Sequence, residues 1–160
     1  MGILDIMLWG FIASAAMAIV LEGSQLLGLS RLSLPFLFGT FVTSDRHRAM
    51  ILGFVLYLLG GWAFAALYYL VFSDVGLATW WLGALLGLLH GAFLLVVFLP
   101  MLPHVHPRMA SEFDDPEGSA LLEPPGGAGL NYGRRTPLIT LLGQLCYGVI
   151  LGAAYTVAGS

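Results

Sequence analysis

The chain has 160 residues, of which 59% are hydrophobic and only 9% charged, whereas soluble domains carry about a quarter of charged residues. That balance excludes an ordinary water-soluble domain, and the absence of lysine and of any basic run argues against a nucleic-acid partner. The net charge of -3 says little more, and a lone cysteine, Cys146, excludes an intrachain disulfide and a cysteine-built zinc site.

Four apolar runs, 6–29, 49–72, 77–101 and 137–157, are long enough at about 1.5 Å per helical residue to cross a hydrocarbon core of roughly 30 Å. They predict an all-α fold, a four-transmembrane-helix bundle in one membrane domain covering 1–160. Small residues follow the apolar start, as in a signal peptide, but no basic segment precedes it, so the run reads as a retained first helix. That helix carries Gly10, Ser14 and Ala18 at four-residue spacing, a small-residue face along which another helix can approach. Glu22 continues the stripe; an acid at that depth should face protein or water, either bonded to Gln25 or paired with Arg46 or Arg48, or else act as a proton or cation ligand.

The connection 29–48 is too long for a tight turn and too apolar to stand free in water. It predicts an interfacial or partly re-entrant segment on the cytoplasmic side, with Pro35 and Gly39 interrupting regular helix. Ser44 and Asp45 offer capping oxygens to the second span. That span carries Gly61 and Ala65 and returns through a short turn into the third, where Trp80 and Trp81 mark interfacial depth. The third span, uncharged, repeats glycine at 83, 87 and 91, with His90 one residue off that stripe. A second long loop, 102–136, is rich in Pro, Gly and acids; the fourth span follows, with Pro137 in its first turn.

The halves resemble each other. Gly10, Ser14 and Ala18 match Gly83, Gly87 and Gly91 at one offset, and the segment from Gly61 to Tyr68 matches that from Gly148 to Tyr155 at another, the difference being absorbed by the longer second loop. Two helical-hairpin repeats starting on the same side of the membrane are parallel repeats, which lends no support to alternating access. All six basic residues, Arg31, Arg46, Arg48, Arg108, Arg134 and Arg135, fall in or beside the two long connections. The positive-inside bias then places both loops in the cytoplasm and both termini outside.

The G-x-x-A-x-x-x-M start from Gly10 to Met17, the loop opening Gly28-Leu29-Ser30-Arg31 and the late L-x-Y-G-x-x-L-G-x-x-Y run from Leu145 to Tyr155 resemble an uncharacterised bacterial family of small four-helix membrane proteins. The resemblance spans all four helices and implies a fold and a bacterial inner membrane, but no activity. Family members often carry His where Cys146 stands.

His90 is the sharpest chemical candidate: a mid-membrane imidazole can ligate a haem or metal, relay a proton or hydrogen-bond a quinone. Its repeat counterpart is Met17, a His/Met pair suited to an iron axial site. Together with Glu22, Gln25, Tyr57, Gln144 and Tyr147 it outlines a candidate intramembrane polar site. Gly10, Ser14, Ala18, Gly61, Ala65, Gly83, Gly87, Gly91, Gly148 and Gly152 are the expected packing positions. His104 and His106 form an H-x-H pair that Glu112, Asp114 or Asp115 could support as metal ligands, although the spacing identifies no metal site. No nucleophile elbow, phosphate loop, zinc-protease helix or Cys-x-x-Cys motif is present, and no cofactor is predicted. The expected function is a non-catalytic accessory or scaffold subunit of an inner-membrane complex, with membrane protein partners or self-association. The alternatives are a small redox or proton-handling protein using His90 and Glu22, or an oligomeric channel.

Overall fold

The computed structural model describes residues 1–110 and 121–156. Four helices are long and apolar enough to cross a membrane: α1 (Ile3–Leu26), α3 (Arg46–Val75), α4 (Trp80–Val105) and α5 (Thr136–Ala154), with a short α2 (Leu34–Val42) between the first two. Apart from one isolated bridge between Met109 and Leu122, the described residues hold no strand.

Local chemistry sets the helix starts. Asp45 caps α3, its Oδ1 accepting from the Arg48 N–H at 2.7 Å, and the Thr79 hydroxyl caps α4 by accepting from Leu82 N. Gly76, at φ 70°, ends α3 in the left-handed conformation that favours glycine. α4 runs past position 101 to Val105 despite Pro100 and Pro103, with a π turn over Leu94–Phe98. A proline ring crowds the carbonyl four residues back, here that of Val96, and widening that turn lets the helix continue. His104 therefore lies in the last helical turn rather than in a loop.

α1 packs against both α3 and α5, and α5 packs against α4. α5 is the most enclosed span, with 44% of its most apolar stretch buried against 22% for α1 and for α3. Glycine makes these seams possible. A Cβ on Gly83 would fall on the Gly148 carbonyl and one on Gly87 on the Gln144 carbonyl, while a Cβ on Gly61 would meet the Ser14 hydroxyl. Apart from Ala18, the expected packing positions thus line the α1/α3 and α4/α5 seams. Consecutive α3 and α4 scarcely meet along their backbones, although a short turn joins them.

The long connections pack together at the arginine-bearing end. The Arg31 guanidinium lies 3.0 Å from Glu123, Arg31 N–H donates to the Tyr132 carbonyl at 2.7 Å, and the Ser30 and Thr136 hydroxyls share a 2.8 Å hydrogen bond. At the opposite end Trp62 Nε1 donates to the Met7 carbonyl at 2.9 Å.

The expectation that Pro35 and Gly39 interrupt helix in the first connection is corrected. Pro35 occupies the first turn of α2, where its missing N–H does no harm, and Gly39 lies inside the helix. A Cβ on Gly39 would overlap the Ala49 carbonyl, and one on Gly53 the Pro35 carbonyl. Glycine here permits backbone contact between α2 and α3. The inner face of α2, Leu34, Leu37 and Thr40, is buried, so the segment is part of the bundle and does not merely lie on its surface.

Candidate functional site

Because α3 and α4 diverge, a recess of about 200 Å³ opens between them, walled by Phe64, Leu67, Tyr68 and Val71 of α3 and by Leu86, His90 and Phe93 of α4. Next to it lies a smaller cavity of about 60 Å³; Phe64 and His90 line both. Met17 of α1, Tyr57 of α3, Gln144 and Tyr147 of α5 and Phe38 of α2 surround it.

The glycine stripe of α4 turns toward α5, and this rotates His90 toward α3. Its ring stacks on Phe64, with centroids 3.9 Å apart at 30°, and meets the rings of Tyr68 at 6.2 Å and Tyr147 at 6.3 Å. His90 Nδ1 is buried without a hydrogen-bond partner, and so are the Tyr68 hydroxyl and Gln144 Oε1. Tyr68 is 4% exposed and Gln144 2%. Each unpartnered buried group costs about 1–3 kcal/mol; Tyr68 belongs to the recess, Gln144 to the smaller space, and His90 to both. The neighbouring phenols are satisfied: Tyr147 donates to the Gly61 carbonyl at 2.6 Å and Tyr57 to the Ser14 carbonyl at 3.2 Å.

The six polar residues expected to form one site divide into two groups. Tyr57, His90, Gln144 and Tyr147 line the inner cavity. Glu22 and Gln25 lie instead at the junction of α1 and α2, where Gln25 Nε2 donates to Glu22 at 2.7 Å and to the Leu32 carbonyl at 3.1 Å, and the Ser33 hydroxyl donates to Glu22 at 2.9 Å. Of the partners considered for Glu22, Gln25 is the one it holds. Arg31–Glu123 is the ion pair among the described residues, and it does not involve Glu22. Met17 and His90 do share the inner cavity, but about 60 Å³ is far below the roughly 300–1,000 Å³ that drug-sized ligands occupy, which speaks against haem there.

The H-x-H pair is not a chelate. His104 is exposed, whereas His106 is buried and engaged at both nitrogens. Its Nδ1 accepts from the Arg108 N–H at 3.1 Å, so Nε2 carries the proton and donates to the Leu37 carbonyl at 3.2 Å and the Thr40 hydroxyl at 3.1 Å. The Arg108 guanidinium caps the same end of α2 through the Thr40 and Phe41 carbonyls, at 2.7 and 3.0 Å. Glu112, Asp114 and Asp115 lie outside the described residues, and among the described residues no three His, Cys, Asp or Glu side chains cluster as a metal site.

Burial holds the His106 pKa below its ordinary value and the Arg108 charge adds to this, while the bond to Leu37 opposes it. The unfolded chain therefore binds the His106 proton more readily. The stability this histidine contributes is complete above its ordinary pKa of about 6.5 and is lost as pH falls below it. Thermal melts from pH 7.5 to 5 should show the wild type losing more stability than His106→Phe, which keeps the ring against Phe41 but cannot titrate. Parallel pH profiles for the two proteins would refute this role.

Tyr68 and Phe64 were not singled out from the sequence, although the repeat pairs Tyr68 with Tyr155. The Tyr155 hydroxyl reaches the Ala65 carbonyl at 3.3 Å, whereas Tyr68 borders the open recess and finds no acceptor. The half-buried Cys146 is not among the residues lining either space.

Comparisons with protein-family models, with curated proteins and with solved structures find no match for this chain.

Proposed function

We propose that this chain is a non-catalytic integral membrane protein of the bacterial inner membrane, an accessory subunit whose cleft between α3 and α4 receives a lipid-soluble molecule. The observation that carries this reading is the recess of about 200 Å³ at the side of the bundle, whose walls are almost wholly apolar. Two consecutive antiparallel helices normally close on each other; here they are held apart, and the gap faces the bilayer, where an apolar molecule arrives by lateral diffusion.

The same reading takes the bundle as two parallel hairpin repeats, with both long loops cytoplasmic and both termini outside. Matched contacts support the repeat. Gly10 approaches Ala65 as Gly83 approaches Gly152, and Ser14 approaches Gly61 as Gly87 approaches Gly148. The two matched pairs Met17/His90 and Tyr57/Gln144 surround one cavity. The correspondence lapses at one place: α1 packs closely on α5, but α3 and α4 scarcely meet along their backbones and touch through side chains such as Phe64 and His90. That lapse is the cleft.

Self-association through glycine faces loses its motivation, because those faces close α1 on α3 and α4 on α5. A joint role for Glu22 and His90 likewise lacks support, since each belongs to a separate network.

Native mass spectrometry of protein extracted with its surrounding lipid into polymer-bounded discs tests the proposal. The wild type should carry a bound lipid-soluble molecule, and Leu67→Trp, which fills the recess, should lose it. A wild type with an empty cleft, or equal occupancy in both proteins, would overturn the reading.

A further inference from the structure

We infer that α2 is held to the bundle by an acid-sensitive latch: a proton taken up by His106 undocks the C-terminal half of α2 while the membrane spans stay folded. The latch stands apart from the cleft reading and is tested without it. His106 follows directly on α4, and its ring is 4% exposed, so water does little there to solvate a charge. Both ring nitrogens are committed to one protonation state. Nδ1 accepts from the Arg108 N–H, while the Nε2 proton is shared by the Leu37 carbonyl and the Thr40 hydroxyl of α2. A second proton has only Nδ1 to go to, and an imidazolium accepts no hydrogen bond. Taking it up would set two donors against each other and strand the Arg108 N–H.

Charge acts in the same sense. The Arg108 guanidinium is the charged group beside the ring, α2 presents to it Leu37, Thr40 and Phe41, and no carboxylate among the described residues pairs with it. A helix of nine residues is marginal on its own. The carbonyls of its last turn depend on the same segment, since Arg108 Nη1 donates to those of Thr40 and Phe41. The glycine seam on α3 still holds the other side of α2, so acid shifts an opening equilibrium rather than emptying the docked state. Because Phe38 lines the inner cavity, each opening removes part of its wall, and access to that cavity follows the pH at the arginine-bearing end.

Hydrogen–deuterium exchange in phosphatidylcholine nanodiscs at pH 7.5 and 5.5, with labelling times scaled for the intrinsic pH dependence of amide exchange, provides the test. Opening that returns His106 to its ordinary pKa of about 6.5 grows by up to about tenfold per pH unit below that value. Exchange across Leu34–Val42 should therefore rise about tenfold at pH 5.5 while Thr136–Ala154 keeps its protection. His106→Gln accepts and donates as the neutral ring does but cannot titrate, and His106→Phe cannot titrate either. In both, the two pH values should give equal exchange, whatever the absolute protection. His104→Gln, which alters an exposed histidine two residues away, should respond as the wild type does. A wild type whose α2 exchanges equally at both pH values would overturn the inference. So would a response that survives in His106→Gln and His106→Phe, that disappears in His104→Gln, or that spreads equally to α5.

Discussion

Gly83→Val should drive α4 off α5 and lower the unfolding free energy by roughly 3 kcal/mol, at the upper end of what overpacking costs. The side chain would be built directly onto the Gly148 carbonyl, a backbone group with no rotamer by which to move aside. The damage would not stay local. Neighbouring rungs of the seam are set by the same interaxial distance, with a Cβ on Gly87 falling on the Gln144 carbonyl and one on Gly152 on the Thr79 carbonyl. In a bilayer, where lipid tails are as apolar as leucine, close backbone approach supplies much of what holds helices together. Gly23, also helical but with open space around its Cβ position, is the control; Gly23→Ala should be neutral or slightly stabilising. Thermal denaturation in mild detergent compares the three proteins, and a Gly83→Val midpoint equal to the wild type would show that the seam is looser than described.

The second large effect is expected at α2. Gly39→Val would place a branched side chain onto the Ala49 carbonyl, and since both partners are backbone the short helix must leave α3. A loss of about 3 kcal/mol of local stability corresponds to roughly a hundredfold faster amide exchange. Hydrogen–deuterium exchange should show that acceleration across Leu34–Val42 while α5 keeps its protection. Uniform acceleration along the chain, or none, would mean that α2 is not a separately docked element. Detachment also removes Leu34 and Phe38 from the floor of the inner cavity, linking this seam to the cleft.

Both predictions turn on glycines that the linear pattern treats in two ways. At 83, 87 and 91 the four-residue spacing advertises a packing stripe, and the structure uses it as one. Gly39 and Pro35 instead read as helix breakers, because glycine costs conformational entropy and proline removes a donor. Proline in a first turn loses nothing, and an α3 backbone waiting at contact distance outweighs the cost at Gly39. A local rule misleads where a distant segment changes what is favourable.

The candidate site was legible in part for the same reason. His90, Gln144, Tyr57 and Tyr147 stand out as polar groups in apolar runs, and the fold gathers them around one cavity. Glu22 and Gln25 stand out equally, yet Ser33, two residues past Arg31, draws Glu22 to the α1/α2 junction. His106 resembled a metal ligand only while its loop was imagined as extended; folded against α2 it is a hydrogen-bonded latch.

The sequence by itself determined the four apolar helices, the gathering of arginines at one end and the positions where helices touch. Those properties are sums over neighbouring residues: hydropathy along a span, charge in a loop, spacing on one face. Only the tertiary structure decided that α1 closes on α5 while α3 and α4 stand apart, and so which buried polar groups lack partners. That outcome depends on which of several glycine-lined seams close together, a competition among segments far apart in the chain whose result no local stretch encodes.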